Sequence, residues 1–185
     1  MTARSYWVVL AAGLLSFIAG GAFAADVYKA SAKFTNAKGE RVSTPVTITL
    51  GGRTEDAERT ALVEKAKADP EAAKSLLAGA KQIGTIEAVD RKVPIRYAYV
   101  QPGGDGEFIT VISDEPLGFI GGDKSARTKE GFDLTYAMLM LNASGKGRGE
   151  MAPACKIKFM ESGAPAVADY GAQVVWLDDI EKAAQ

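Results

Sequence analysis

Hydrophobic and polar residues alternate along the first part of the chain after residue 26, as they do in β-strands that have one face in a core. From Tyr28 to Phe34 an apolar side chain occupies every second position, and polar side chains lie between them. The same alternation runs from Val46 to Leu50, after a turn over residues 36–39. The two segments are therefore predicted to form a β-hairpin.

The spacing of apolar residues changes to a helical one after Gly51-Gly52. Thr54 is predicted to cap a helix, because two acidic residues follow it in the first turn. Asp69-Pro70 repeats the start signal, with Asp at the N-cap and Pro at the first helical position. Apolar residues then recur at helical spacing, at Ala72, Ala73, Leu76, Leu77 and Ala80. The pattern predicts a helical hairpin, or one helix broken at Asp69, at about residues 54–81, with its small apolar side against a sheet.

Strand patterns return between residue 83 and the C-terminus, separated mostly by short glycine-rich turns. The segment 132–141 becomes apolar on both faces towards its end, which is typical of a central strand. A last strand is predicted near residues 172–177, followed by an acidic and polar tail. The β-α-β alternation of a parallel doubly wound sheet does not occur in this order of elements.

The predicted fold class is therefore α+β and mostly β. We expect an antiparallel sandwich or a partly open barrel, with the helical hairpin inserted after the second strand. The length of the chain suits a single domain over residues 25–185.

The N-terminus has the three parts of a secretory signal peptide. Arg4 precedes an apolar run from Tyr6 to about Ala19, and Ala22 and Ala24 occupy the small-x-small positions of a cleavage site. The run is shorter than the ~20 residues of a membrane span. We predict that residues 1–24 are removed and that the mature protein is soluble, without a membrane span, in the bacterial periplasm or outside the cell.

The composition excludes several kinds of chemistry. The sequence has no histidine, which removes Ser-His-Asp and Cys-His catalysis and the usual zinc and copper ligand sets. It has one cysteine, so no intramolecular disulfide can form. A secreted animal protein of this size would more often contain disulfides, which favours a bacterial origin. The 22 basic and 23 acidic residues give a formal charge of −1, which provides no electrostatic attraction to nucleic acid. No cofactor is predicted.

Two glycine-rich segments are predicted to be turns and not phosphate-binding loops. Residues 103–108 need their glycines for a tight hairpin. Residues 144–149 lack the spacing of a P-loop, and they join two strands with no helix N-terminus at which a phosphate would bind. Cys155 shares a strand face with two apolar residues, so it is predicted to lie in the core. The acids Asp114-Glu115, Asp123 and Asp178-Asp179 are predicted to be solvated.

Two groups of residues are candidate binding sites. Tyr97 and Tyr99 share a strand face and Trp176 lies on a late strand, so together they are the candidate site for an apolar or sugar ligand. Leu117, Phe119 and Ile120 form the candidate partner surface, if that segment is exposed.

Three functions fit these observations. The leading hypothesis is non-enzymatic binding of a small ligand or an envelope protein. The first alternative is a hydrolase that uses carboxylates, which would bring two acids into one pocket and shift a pKa. The second alternative is an interaction module of an envelope assembly.

Overall fold

The computed structural model describes residues 25–35, 38–118, 130–160 and 162–183. The predicted signal peptide, residues 1–24, lies outside this part of the chain. The described elements are β1 (Asp26–Thr35), β2 (Arg41–Leu50), α1 (Asp56–Ala68), α2 (Pro70–Gly79), β3 (Gly84–Ala88), β4 (Arg91–Ile95), β5 (Tyr97–Gly103), β6 (Gly106–Ser113), β7 (Leu134–Asn142), β8 (Lys146–Phe159), β9 (Pro165–Tyr170) and β10 (Val175–Lys182).

The strands form one antiparallel sheet that curls into a nearly closed barrel. Their order around the sheet is β4-β3-β2-β1-β10-β8-β7-β6-β5, and β9 pairs with β8 outside this path. The end strands β4 and β5 do not pair with each other, and we call the gap between them the seam. The prediction of a mostly β, antiparallel fold is confirmed, and the two helices follow β2 in the chain.

The barrel interior holds the larger hydrophobic core. Alternate residues of the strands point inward, as in Ile48, Ile86 and Ile109, each at most 1% exposed. Tyr28 and Leu177 pack in the same cluster. Burial of such a side chain contributes about 1.5–3 kcal/mol, so this cluster is the main source of stability.

The second core lies on the outer face of the barrel, under the helices. Leu62 of α1 and Leu77 of α2 pack with Tyr97, Ile112 and Tyr136 from β5, β6 and β7. These strands are therefore buried on both faces where the helices cover them. This explains why the sequence of β7 is apolar in succession and does not alternate.

The C-terminal part of the sheet differs from the sequence prediction. The last strand extends to Lys182, so residues after 177 are not a tail. The register shifts between Leu177 and Ile180, where Asp179 has a φ of 53°. This irregularity breaks the alternation in the sequence and returns Ile180 to the interior, where it is 1% exposed. β9 was also not predicted.

Candidate ligand site at the barrel mouth

A cavity of about 1250 Å³ opens at the end of the barrel where β1 begins, β2 ends and β3 begins. We call it the mouth cleft. Its walls come from the start of β1, the segment between β2 and α1, the segment between α2 and β3, and Val100 of β5. It therefore lies beside the seam, at the place where the sheet is not closed.

The floor of the mouth cleft is apolar. Leu50 and Tyr28 belong to the interior core, and Ile83 and Val100 pack against that core while remaining partly exposed. A bound molecule would therefore remove apolar surface from water on contact with these side chains.

Tyr28 connects this floor to charged groups. Its hydroxyl lies 3.4 Å from the carboxylate of Asp26, which forms an ion pair of 2.8 Å with Lys182. The Lys182 ammonium lies 5.8 Å from the centre of the Tyr28 ring. Burial raises the pKa of Tyr28, and the negative charge of Asp26 raises it further. The phenol is therefore neutral throughout the physiological range, and its hydroxyl donates to the Asp26 carboxylate.

The rim of the mouth cleft carries charges of both signs. Arg53 and Lys81 supply positive charge, and Glu55 and Glu58 supply negative charge. All four are exposed, and within the described part of the chain none of them forms an ion pair. They are available to a charged ligand.

Arg96 is a fixed part of the wall. Its Nε donates to the carboxylate of Asp114 at 3.0 Å, and one terminal nitrogen donates to the carbonyl of Ala80 at 3.1 Å. It therefore ties the segment after α2 to the residue that follows β6, at the position next to the rim residue Lys81.

Thr54 closes part of the seam. Its backbone N–H donates to the carbonyl of Ala98 at 2.9 Å, and its hydroxyl oxygen accepts from the Ala98 N–H at 3.0 Å. The prediction that Thr54 caps α1 is wrong: Glu55 holds the N-cap position and makes no side-chain capping bond. The hydroxyl oxygen instead accepts a hydrogen bond from the edge of β5 that has no neighbouring strand.

The tyrosines of the predicted ligand site lie under α1. Tyr97 is 0% exposed, and its hydroxyl has no hydrogen-bond partner among the described residues. Tyr99 is partly exposed, and the Arg59 guanidinium lies 4.7 Å from the centre of its ring. Both are on the outer face of β5, so neither points into the mouth cleft.

Trp176 lies on the same outer face but far around the barrel. It is 59% exposed on β10, and β8, β7 and β6 separate it from β5. One row of cross-strand partners nevertheless joins Trp176 to Tyr99, through Glu150, Met138 and Thr110. The structure does not bring the three aromatic residues into one pocket, and their joint role stays a prediction.

The predicted partner surface is described only at Leu117. This residue is 0% exposed, and its N–H donates to the hydroxyl of Thr135 at 2.7 Å. Leu117 is thus a core residue and offers no surface to a partner in this conformation. Phe119 and Ile120 lie outside the described residues, so the hypothesis is untested for them.

Cys155 lies in the core, as predicted. It is 0% exposed, and burial raises its pKa to about 12. Within the described ranges, no group of three His, Cys, Asp or Glu side chains is placed to hold a metal ion. In the same part of the chain, no helix is long and apolar enough to cross a membrane.

Sequence reasoning missed the mouth cleft because its residues come from four separate segments. Gly51-Gly52 gave a signal for a turn at the end of β2, but no pattern related it to Lys81 or Val100. Only the curvature of the sheet brings these segments together.

Comparison with known protein families, with curated proteins and with solved structures finds no match to this chain.

Proposed function

We propose that this chain is an exported binding protein that holds a small ligand in the mouth cleft. The observation that carries the proposal is the cleft itself: an apolar floor beside the seam, surrounded by four charged side chains that no described residue neutralises. Concave, mostly apolar surfaces with a few convergent polar groups are the usual form of small-molecule sites. The export signal is part of the proposal and is supported by the sequence of residues 1–24.

The exposure of the acidic residues at the rim favours binding over hydrolysis. A carboxyl group that acts as a general acid near neutral pH needs a raised pKa, which burial supplies. Glu55 and Glu58 are exposed to solvent. Glu181, close to the same end of the barrel, has a lowered pKa because Lys146 donates a hydrogen bond to it, which is the opposite direction.

The two helices are proposed to act as one hairpin that caps the outer face of the barrel. Their mutual packing and their shared cover of Tyr97 and Ile112 support this role. Because α1 begins directly after the rim residue Glu55, the cap is anchored at the mouth cleft.

The test is native mass spectrometry of the mature protein, purified gently from its own periplasm. A reproducible extra mass that disappears on denaturation is expected. The Val100→Trp variant, whose larger side chain occupies part of the mouth cleft at its apolar floor, should lose this mass, whereas Trp176→Ala on the outer face should keep it. A bare protein mass in the parent, or an extra mass that Val100→Trp retains in a folded state, contradicts the proposal.

An envelope protein as partner is a second candidate, and one observation favours it. On the outer face of the barrel, Trp176 is 59% and Phe108 38% exposed, and Met138 and Met140 of β7, which lies between their strands, are partly exposed. Aromatic residues and methionine are enriched at protein interfaces. Crosslinking in intact cells, with Trp176→Asp as the comparison, should yield an adduct that the variant loses; equal adducts contradict this candidate.

A further inference from the structure

The edge of β5 that faces the mouth cleft is open to a hydrogen-bonded neighbour. β5 pairs with β6 on one side and is the last strand in the order around the sheet. In an antiparallel pair, alternate residues direct their N–H and C=O groups to opposite edges. Ala98 gives both groups to Thr54, so the groups of Ala98 point away from β6.

Val100 repeats the orientation of Ala98 two residues later. Its N–H and C=O therefore point to the same edge, and Val100 is the residue of β5 that lines the mouth cleft. Among the described residues, two hydrogen bonds are made to this edge of β5, and both join Ala98 to Thr54. Pro102, the next residue on this edge, has no N–H. The open edge thus offers one donor, the Val100 N–H, and two acceptors, the carbonyl groups of Val100 and Pro102.

We infer that the ligand of the mouth cleft is a short peptide in extended conformation, which pairs with the N–H and C=O of Val100 as an added strand. Thr54 already forms the equivalent pair of hydrogen bonds at Ala98, so the peptide would continue the line that Thr54 begins. Strand addition of this kind gives affinity through main-chain hydrogen bonds. The inference rests on the proposed function, since it names the ligand class of the same cleft.

The charges of the rim fit this ligand class. A peptide with free termini carries one ammonium and one carboxylate group, and the rim offers Glu55 and Glu58 to the first and Arg53 and Lys81 to the second. A purely anionic or purely cationic ligand would be repelled by half of these groups.

The decisive variant is Val100→Pro. It removes the N–H that points to the cleft and leaves the bonds between β5 and β6, because those come from the alternate residues; proline is tolerated on such an edge. Val100→Ala, which keeps the N–H, is the matched control. Circular dichroism and thermal unfolding establish that both variants are folded.

The probe is trialanine, titrated by calorimetry into the mature protein, with the central-N-methyl form of trialanine as its partner. We expect trialanine to bind to the parent. Val100→Ala loses part of the apolar floor but keeps the N–H, so it should bind trialanine more tightly than Val100→Pro does. Val100→Pro in the protein, or N-methylation in the probe, should weaken binding roughly tenfold or more, since each removes a hydrogen bond.

Equal binding of trialanine to Val100→Pro and Val100→Ala overturns the inference, as does an absence of trialanine binding to the parent. The mass that co-purifies with the protein separates this failure from failure of the proposed function. If Val100→Trp loses that mass and Val100→Pro keeps it, the cleft binds a ligand without strand addition. If the parent carries no such mass and binds no peptide, the proposed function itself fails.

Discussion

Thr54 and Ala98, 44 positions apart in the chain, form two hydrogen bonds of 2.9 and 3.0 Å across the seam of the barrel. They bind the segment before α1 to the open edge of β5, so one residue closes part of the gap between β4 and β5. Ala98 is 0% exposed, so its N–H cannot form a hydrogen bond with water in place of the one to Thr54.

Thr54→Val should therefore destabilise the protein. Valine has the same shape but no acceptor, and a buried N–H left without a partner costs about 1–3 kcal/mol. The free energy of unfolding, measured by urea denaturation, should fall by that amount. The control is Thr60→Val on the exposed face of α1, which should change it by less than about 0.5 kcal/mol. Equal effects of the two substitutions would contradict a special role for Thr54.

Tyr97→Phe should leave stability unchanged or raise it. The Tyr97 hydroxyl is buried without a hydrogen-bond partner among the described residues, so removing it removes a desolvation cost of about 1–3 kcal/mol. Tyr28→Phe is the matched control, because the Tyr28 hydroxyl donates a hydrogen bond to the Asp26 carboxylate at 3.4 Å. That variant should lose about 1 kcal/mol in the same urea experiment. A loss of stability in Tyr97→Phe as large as in Tyr28→Phe would show that the Tyr97 hydroxyl has a partner in solution.

Alkaline pH should destabilise the fold. Burial raises the pKa of Tyr28, Tyr97 and Tyr136, so the folded state keeps these protons at pH values where the unfolded chain, with a tyrosine pKa of about 10, loses them. Stability from these groups is complete below about pH 10 and declines above it, by up to ~1.4 kcal/mol per pH unit for each tyrosine. Urea unfolding between about pH 8 and 11 measures this slope. Tyr97→Phe should reduce the slope by the share of one tyrosine, and an unchanged slope would contradict the assignment.

Sequence reasoning predicted the burial of side chains correctly where apolar and polar residues alternate regularly along a strand. Tyr28 and Phe34 point from β1 into the interior core, and Cys155 lies in the outer core. The alternation of apolar and polar residues in their strands predicts both placements. The end of β10 could not be predicted in this way, because the register shift before Ile180 interrupts the period. Thr54 was assigned to the nearer helix, since its partner Ala98 is distant in the chain.

The candidate site could not be predicted from local sequence patterns, because the residues that form it are also distant from one another in the chain. Each wall of the mouth cleft is an ordinary strand end or turn when seen alone. The open edge at Val100 depends on which neighbour β5 has on each side, and the sequence of β5 does not contain that information. Pro102 in β5 and Pro94 in β4 are local signals of an unpaired edge, because proline in sheets occurs at edges, strand starts and bulges.

Cys155 should be unreactive in the folded protein. Its thiol is buried and its pKa is raised to about 12, so almost no thiolate exists at neutral pH and reagents cannot reach it. Labelling with iodoacetamide, followed by mass spectrometry, should give no adduct in native buffer and complete labelling in guanidinium chloride. The denatured sample is the control for reagent activity. Fast labelling of the native protein would mean that α1 and α2 open readily above the outer core.

Trp176 separates the two proposed binding surfaces by fluorescence. The sequence has tryptophan at positions 7 and 176, so a protein expressed from Ala25 onwards contains Trp176 as its one tryptophan. Because the indole is 59% exposed, a neutral quencher such as acrylamide should reduce its emission nearly as efficiently as that of a free indole. A ligand in the mouth cleft should leave this quenching unchanged, since Trp176 is not among the residues that line the cleft. A protein partner on the outer face should protect the indole. Protection by trialanine, or inefficient quenching of the free protein, would contradict this placement of Trp176.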